Sequence, residues 1–213
     1  MPNWCACNYA VRAEKKELEE FVNLVNSMPD AHPCSFGRLW LGNLVIALGG
    51  DWQKTGCRGV IDPDPEAVAC FFGPDVSDGS LGIGEDGLCR FSTVSAWDRC
   101  PDVEDLLKSK WPSMEFFWRA TDEFGNFHTI HDPEGLLYDE KYYLNDGREG
   151  YEYGRDEFAA FRDDFRDATP GLDIPEDADE DFFLDPEFEK RFCEWREREN
   201  SRDFFGFYIW KDV

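Results

Sequence analysis

Trp97, Asp98 and Arg99 stand together where an alternating run of residues ends. They place an indole, a carboxylate and a guanidinium at a strand end, and loops held on a rigid scaffold commonly carry function. Pairing Asp98 with a histidine would give a small hydrolytic site, and His128 is the candidate. His128 and His131 are three apart, so an extended strand turns them to opposite faces. His32 is remote in sequence. There is no His-Glu-x-x-His run and no Gly-x-Ser-x-Gly elbow. The glycine-rich stretch at 80–84 lacks the Lys-Ser/Thr that would hold phosphate. No residue is therefore assigned a catalytic role.

A second group lies at the start of the chain. Asn3, Trp4 and Asn8 join Trp97, Asp98, Arg99 and His128 as candidate binding residues. Their structural reading is equally concrete. Asparagine amides tie turns and chain ends, and a tryptophan at the start of a strand anchors a core. Cys5 and Cys7 share a face on a strand but have no second pair at ligand spacing, so no zinc site is expected. The eight cysteines are irregularly spread, and reduced thiols are the expected state. The acidic stretch Asp173, Glu176, Asp177, Asp179, Glu180 and Asp181 lacks the glycine and closing glutamate of a helix-loop-helix calcium site. It reads as a solvated linker. No metal and no cofactor are expected.

Charge narrows the partner class. The chain of 213 residues holds 46 acidic and 22 basic residues, a formal −24. Such a field repels phosphate backbones and anionic lipid. Direct nucleic-acid binding is not expected on this ground, whereas an acidic surface can compete with nucleic acid for a basic protein. The 19 Phe, 8 Trp and 7 Tyr require an interior to fill, unlike a disordered chain. The longest apolar stretch, 44–48, is far short of a bilayer span. With no secretory signal at its start, the chain is expected in the cytoplasm.

The elements that must position these residues follow from periodicity. Residues 4–11 alternate as a strand. Residues 14–26 read as a helix with Leu18, Phe21, Val22 and Val25 in its stripe. Residues 36–50 fit a buried helix or a strand, with a short helix closed by Gly49-Gly50 favoured, and 67–72 reads as another helix. Residues 80–84 and 88–94 read as a hairpin turning at 85–87. A helix over 101–110 opens on Pro101. Strands follow over 113–120 and 126–130. Beyond Asp132, helices are expected over 154–167 and 186–200, with an acidic loop between them, and 204–210 is a short final strand or an extended tail returning to the core. The fold class is α+β: a ferredoxin-like split β-α-β antiparallel sheet over 1–132, with an insertion at 38–73 after the first helix. Residues 133–213 are expected to form an acidic, mostly helical extension packed on the same core.

Two motifs carry a family resemblance. The opening Pro2-Asn3-Trp4-Cys5-Ala6-Cys7-Asn8 and the stretch Phe91-Ser92-Thr93-Val94-Ser95-Ala96-Trp97 together resemble the Api92-like, YubB-type family of bacterial, plasmid and phage proteins. Those proteins open on a Pro-Asn-Trp-Cys-x-Asn strand and carry a later Phe-x-Thr-Ala-Trp-Ser-Pro-Pro strand. Asn3, Trp4, Cys5 and Asn8 match the first motif, and Phe91, Thr93 and Trp97 match the second. Two extra residues precede Trp97, and Asp98-Arg99-Cys100-Pro101 stands where the family has prolines. The resemblance covers about residues 1–132. It implies a ferredoxin-like domain from a bacterium or mobile element, and no catalytic residue comes with it.

The reading is therefore an interaction or accessory module with a protein partner, which the charge allows to be basic. The alternatives are an acidic nucleic-acid mimic and a small enzyme with a site near Trp97, Asp98 and His128.

Overall fold

A computed structural model describes residues 3–29, 37–55, 58–65, 79–122, 128–133, 135, 137–146, 149–198 and 205–213. The chain is α+β. In chain order, its first elements are β1 (Trp4–Arg12), α1 (Lys15–Ser27), α2 (Leu41–Ala47), β2 (Gly59–Asp62), β3 (Cys89–Ala96), α3 (Pro101–Lys110), β4 (Glu115–Asp122) and β5 (His128–His131). Then come β6 (Glu140–Asp146), β7 (Gly150–Gly154), α4 (Phe158–Ala168), α5 (Glu180–Phe183), α6 (Pro186–Arg198), β8 (Phe205–Ile209) and β9 (Lys211–Asp212). They form two compact units: residues 1–132 with 212–213, and residues 133–211. Among the described residues, no helix is long and apolar enough to cross a membrane.

The first unit is built on a six-stranded sheet in the order β2-β3-β1-β4-β5-β9. The pairings of β1 with β3 and β4, of β2 with β3, and of β4 with β5 are antiparallel. Residues opposite one another in register share a face. Cys7 lies between Thr93 and Ala120, and Tyr9 between Phe91 and Trp118. This face carries the large core side chains. Leu18, Phe21 and Val25 of α1, Leu41 and Leu44 of α2, and Val103 and Leu107 of α3 pack in the same cluster. Burying one such side chain is worth about 1.5–3 kcal/mol, so the three helical stripes hold the layer together. The helix ends have local causes. Met28 precedes Pro29 and is extended, which stops α1. Pro101 opens α3, with acidic residues in its first turn and lysines in its last, each matching the helix dipole.

One strand differs from the sequence expectation. The neighbour of β3 is β2, from within the segment expected to be an insertion. Residues 80–84 do not form the hairpin arm. Only an isolated bridge joins Ile83 to Cys89, beside a turn closed by Gly84 N–H on Leu88 O at 2.8 Å. The reason lies in the side chains. Gly82 and Gly84 leave one face of that arm bare, whereas Val60 and Ile61 are fully buried β-branched residues. Gly59 permits the approach, since a side chain there would meet Val94 O at 2.5 Å. The helix expected at 36–50 is α2, and the one expected at 67–72 lies outside the described residues.

The second unit has a three-stranded antiparallel sheet in the order β7-β6-β8. Its core is a cluster of its own. Tyr142, Leu144 and Ile209 from the sheet meet Phe161, Phe165, Phe183, Phe188, Phe192 and Trp195 from the helices. The rings pack edge-on or tilted, as with Phe165 and Phe183 at 5.3 Å and 85°. The extension expected to be mostly helical thus also carries the three strands β6, β7 and β8. Strands β6 and β7 are short and rich in Glu, Asp and Tyr, which hides their alternation. Helix α4 starts at Phe158 rather than at the expected residue 154. Gly154 to Glu157 is a turn, with Gly154 N–H on Glu157 Oε2 at 2.7 Å.

Candidate functional site

Four residues, Trp97 to Cys100, join β3 to α3. Trp97 has φ 71° and Cys100 φ 64°, and among the described residues only these two non-glycine residues have positive φ. That region disfavours side chains with a Cβ, and such strain persists only where its surroundings enforce it. The enforcement is visible. Trp97 N–H donates to Asn3 O at 2.7 Å. Ser95 Oγ donates to Asp98 O, and Arg99 N–H to Asp98 Oδ1 at 2.7 Å. The result is an indole held outward, 58% exposed, with the Arg58 guanidinium 5.7 Å from its centre.

Beneath the loop, Arg99 turns inward and pairs with Glu104 of α3. The two side chains are only 22% and 10% exposed. Tyr9 Oη donates to the same Glu104 oxygen at 3.0 Å. The Arg99 guanidinium lies 4.2 Å over the Trp118 ring, and His131 stacks on Trp118 at 5.8 Å. Strand register explains the assembly, because Tyr9, Trp118 and His131 stand in one row across β1, β4 and β5. His131 Nδ1 is 2.5 Å from Val213 O.

The electrostatics assign this cluster a holding role. Burial raises the Glu104 carboxyl above its ordinary value, although Arg99 opposes the shift. Burial also raises Cys7 and Tyr9, and lifts Cys5 to about 12. These thiols are protonated at neutral pH and are not nucleophiles. Arg99 donates and cannot act as a base. The chemistry available is a rigid charged anchor under an outward tryptophan.

The sequence candidates separate into groups. Asn3, Trp97, Asp98 and Arg99 meet at one end of the sheet, where Asn3 Nδ2 also donates to Asp122 Oδ2 at 2.6 Å. Trp4 pairs with Ala96 on the opposite face, half-buried. Asn8 shares that opposite face, donating to Ser92 Oγ and Pro65 O, each at 2.8 Å. His128 sits on β5, three strands from β3, or about 14 Å at the usual strand spacing. It faces the side opposite to Trp118 and His131. Burial lowers its ring to about 4. Asp98 and His128 are therefore not brought together. Sequence reasoning missed Tyr9, Glu104, Trp118 and His131. Glu104 left a signal, lying beside Val103 and three residues before Leu107 on the buried edge of its helix.

The second unit has an open concavity of about 590 Å3, whose lining includes Asp146, Asp164, Asp167, Tyr151 and Tyr153. Tyr153 Oη donates to Asp164 Oδ2 at 2.9 Å. Among the described residues, no three His, Cys, Asp or Glu side chains are grouped to hold a metal ion.

Comparison with known proteins finds no matching family model, no similar curated protein and no similar solved structure.

Proposed function

We propose that this protein is an interaction module that presents Trp97 to a protein partner. The observation that carries the reading is an exposed indole in a strained turn, tied down by a buried Arg99–Glu104–Tyr9 set. Rigid, exposed tryptophans are the residues most enriched among interface anchors. Backbone strain of this kind clusters at functional sites. The first unit is read as a ferredoxin-like domain of the Api92-like, YubB-type kind. Support comes from the order β2-β3-β1-β4 with α1 and α3 as crossovers, and from the two motifs ending at Asn8 and Trp97. The cysteines described are free thiols, in keeping with a cytoplasmic setting.

A basic partner is the second, sharper reading. The segment 133–211 has 24 acidic against 11 basic residues, and its concavity joins three aspartates to two tyrosines. Carboxylates and aromatic faces both attract ammonium and guanidinium groups. The enzyme alternative has no comparable support, since Asp98 and His128 lie three strands apart.

Affinity capture from a bacterial lysate tests this, using the tagged full chain and its Trp97→Ala variant across a salt series. A partner retained by the native chain and lost by the variant is the expected result. Loss on raising salt identifies the basic-partner form. Equal capture by both chains refutes the role of Trp97.

A further inference from the structure

Between the sheet and helices α2 and α3 lies a small cavity of about 20 Å3. Phe21, Leu44, Phe91 and Val103 make much of its wall, while Tyr9, Thr93, Arg99 and Glu104 supply polar groups. Thr93 is 4% exposed, and its buried hydroxyl has no protein partner. It stands opposite Cys7, one row from Tyr9. A hydroxyl buried without a hydrogen bond is costly, and natural structures satisfy nearly all such groups. One water molecule needs about 10–15 Å3 and two to four polar neighbours; the cavity has the volume, and the unpartnered Thr93 hydroxyl is one such neighbour.

We propose that the cavity is a binding site for a single water molecule, which hydrogen-bonds Thr93 Oγ1 and bridges it to the Arg99–Glu104–Tyr9 set. The water extends the anchor of the Trp97 turn from α3 to β3. Its role in presentation rests on the interaction reading, but its occupancy does not. Valine, which matches threonine in shape and lacks the hydroxyl, removes the site's link to β3.

The test uses the full chain in solution. Nuclear Overhauser transfer from water to the Thr93 methyl group, at a residence time longer than that of surface water, is expected. Thr93→Ser retains a slow water in the cavity, and Thr93→Val abolishes it. Thr93→Val also lowers Tm by about 2–4 °C. Absence of slow water at Thr93 overturns the proposal. So does a Thr93→Val variant as stable as the native chain, because a dry cavity gains from losing an unpaired hydroxyl. Partner capture by the Trp97→Ala variant is read separately, so failure of the interaction reading is distinguishable from failure of the water site.

Discussion

Replacing Arg99 by methionine isolates what the buried charge does. Methionine keeps a flexible apolar chain over Trp118 but removes the cation beside Glu104. A carboxylate left buried without its partner typically costs about 3–5 kcal/mol. Here the cost has a ceiling, because Glu104 can take up a proton. From its ordinary value of 4.5 to pH 7 is two and a half pH units, or about 3.4 kcal/mol at 1.36 kcal/mol per unit. The native chain already carries part of that burial penalty, so the expected loss at pH 7 is about 2–3 kcal/mol. For a chain of this size, that lowers Tm by about 4–12 °C. The pH dependence gives the sharper signature. A carboxyl whose folded value is raised contributes stability that is full below its unfolded value and declines as pH rises through the folded one. Removing Arg99 raises the folded value further, so the variant's deficit is small at pH 4.5–5 and largest near neutrality. Arg99→Met combined with Glu104→Gln recovers most of the loss at pH 7. Thermal and urea melts of the three chains at pH 5 and pH 7 make the measurement. A deficit of equal size at both pH values, or a double variant no better than Arg99→Met, would falsify the assignment.

Three further outcomes are expected. Trp97→Gly relieves the positive φ and raises stability by about 0.5–1 kcal/mol in urea melts, although it removes the exposed ring. A drop in stability refutes the strain argument. Cys193, which is exposed, reacts at once with a thiol reagent at pH 8. Cys5 and Cys89, both pushed by burial to about 12, react only on unfolding, as mass spectrometry of each labelled peptide will report. His128 stays neutral down to about pH 4. Because its folded value lies below the unfolded 6.5, it contributes stability present above pH 6.5 and lost as pH falls towards 4. His128→Gln flattens that part of the pH profile, and an NMR titration midpoint near 6.5 refutes the burial.

The parts of the fold that could be read in sequence are those with long apolar periods. The stripe Leu18, Phe21, Val25 defines α1, and Pro101 with Val103 and Leu107 defines α3. Strand β2 could not be read so easily. Its four residues lie between a glycine-rich stretch and an Asp-Pro turn, and only pairing with β3 gives them a period. Strand β6 places Tyr142 and Leu144 inward, and β7 places Tyr153 inward, amid charged neighbours, so local composition outweighs the pattern. The exposed half of the candidate site was legible, because Trp97, Asp98 and Arg99 follow a strand end. The buried half was not. Tyr9, Glu104, Trp118 and His131 come from four elements: strand register aligns the three in the sheet, and the packing of α3 adds Glu104.

Asp212 and Val213 belong to the first unit, where β9 borders β5 and Val213 N–H donates to Ile130 O at 3.0 Å. The sheet that opens with Trp4 thus takes its last strand from residues synthesised about 80 positions after β5. During translation, β5 keeps an open edge for as long as the whole second unit takes to emerge, and open edges recruit stray strands. The brevity of β5, four residues with a histidine at each end, restricts what can pair there in that interval. Late closure therefore makes a nascent chain, rather than the finished molecule, the form most exposed to mispairing.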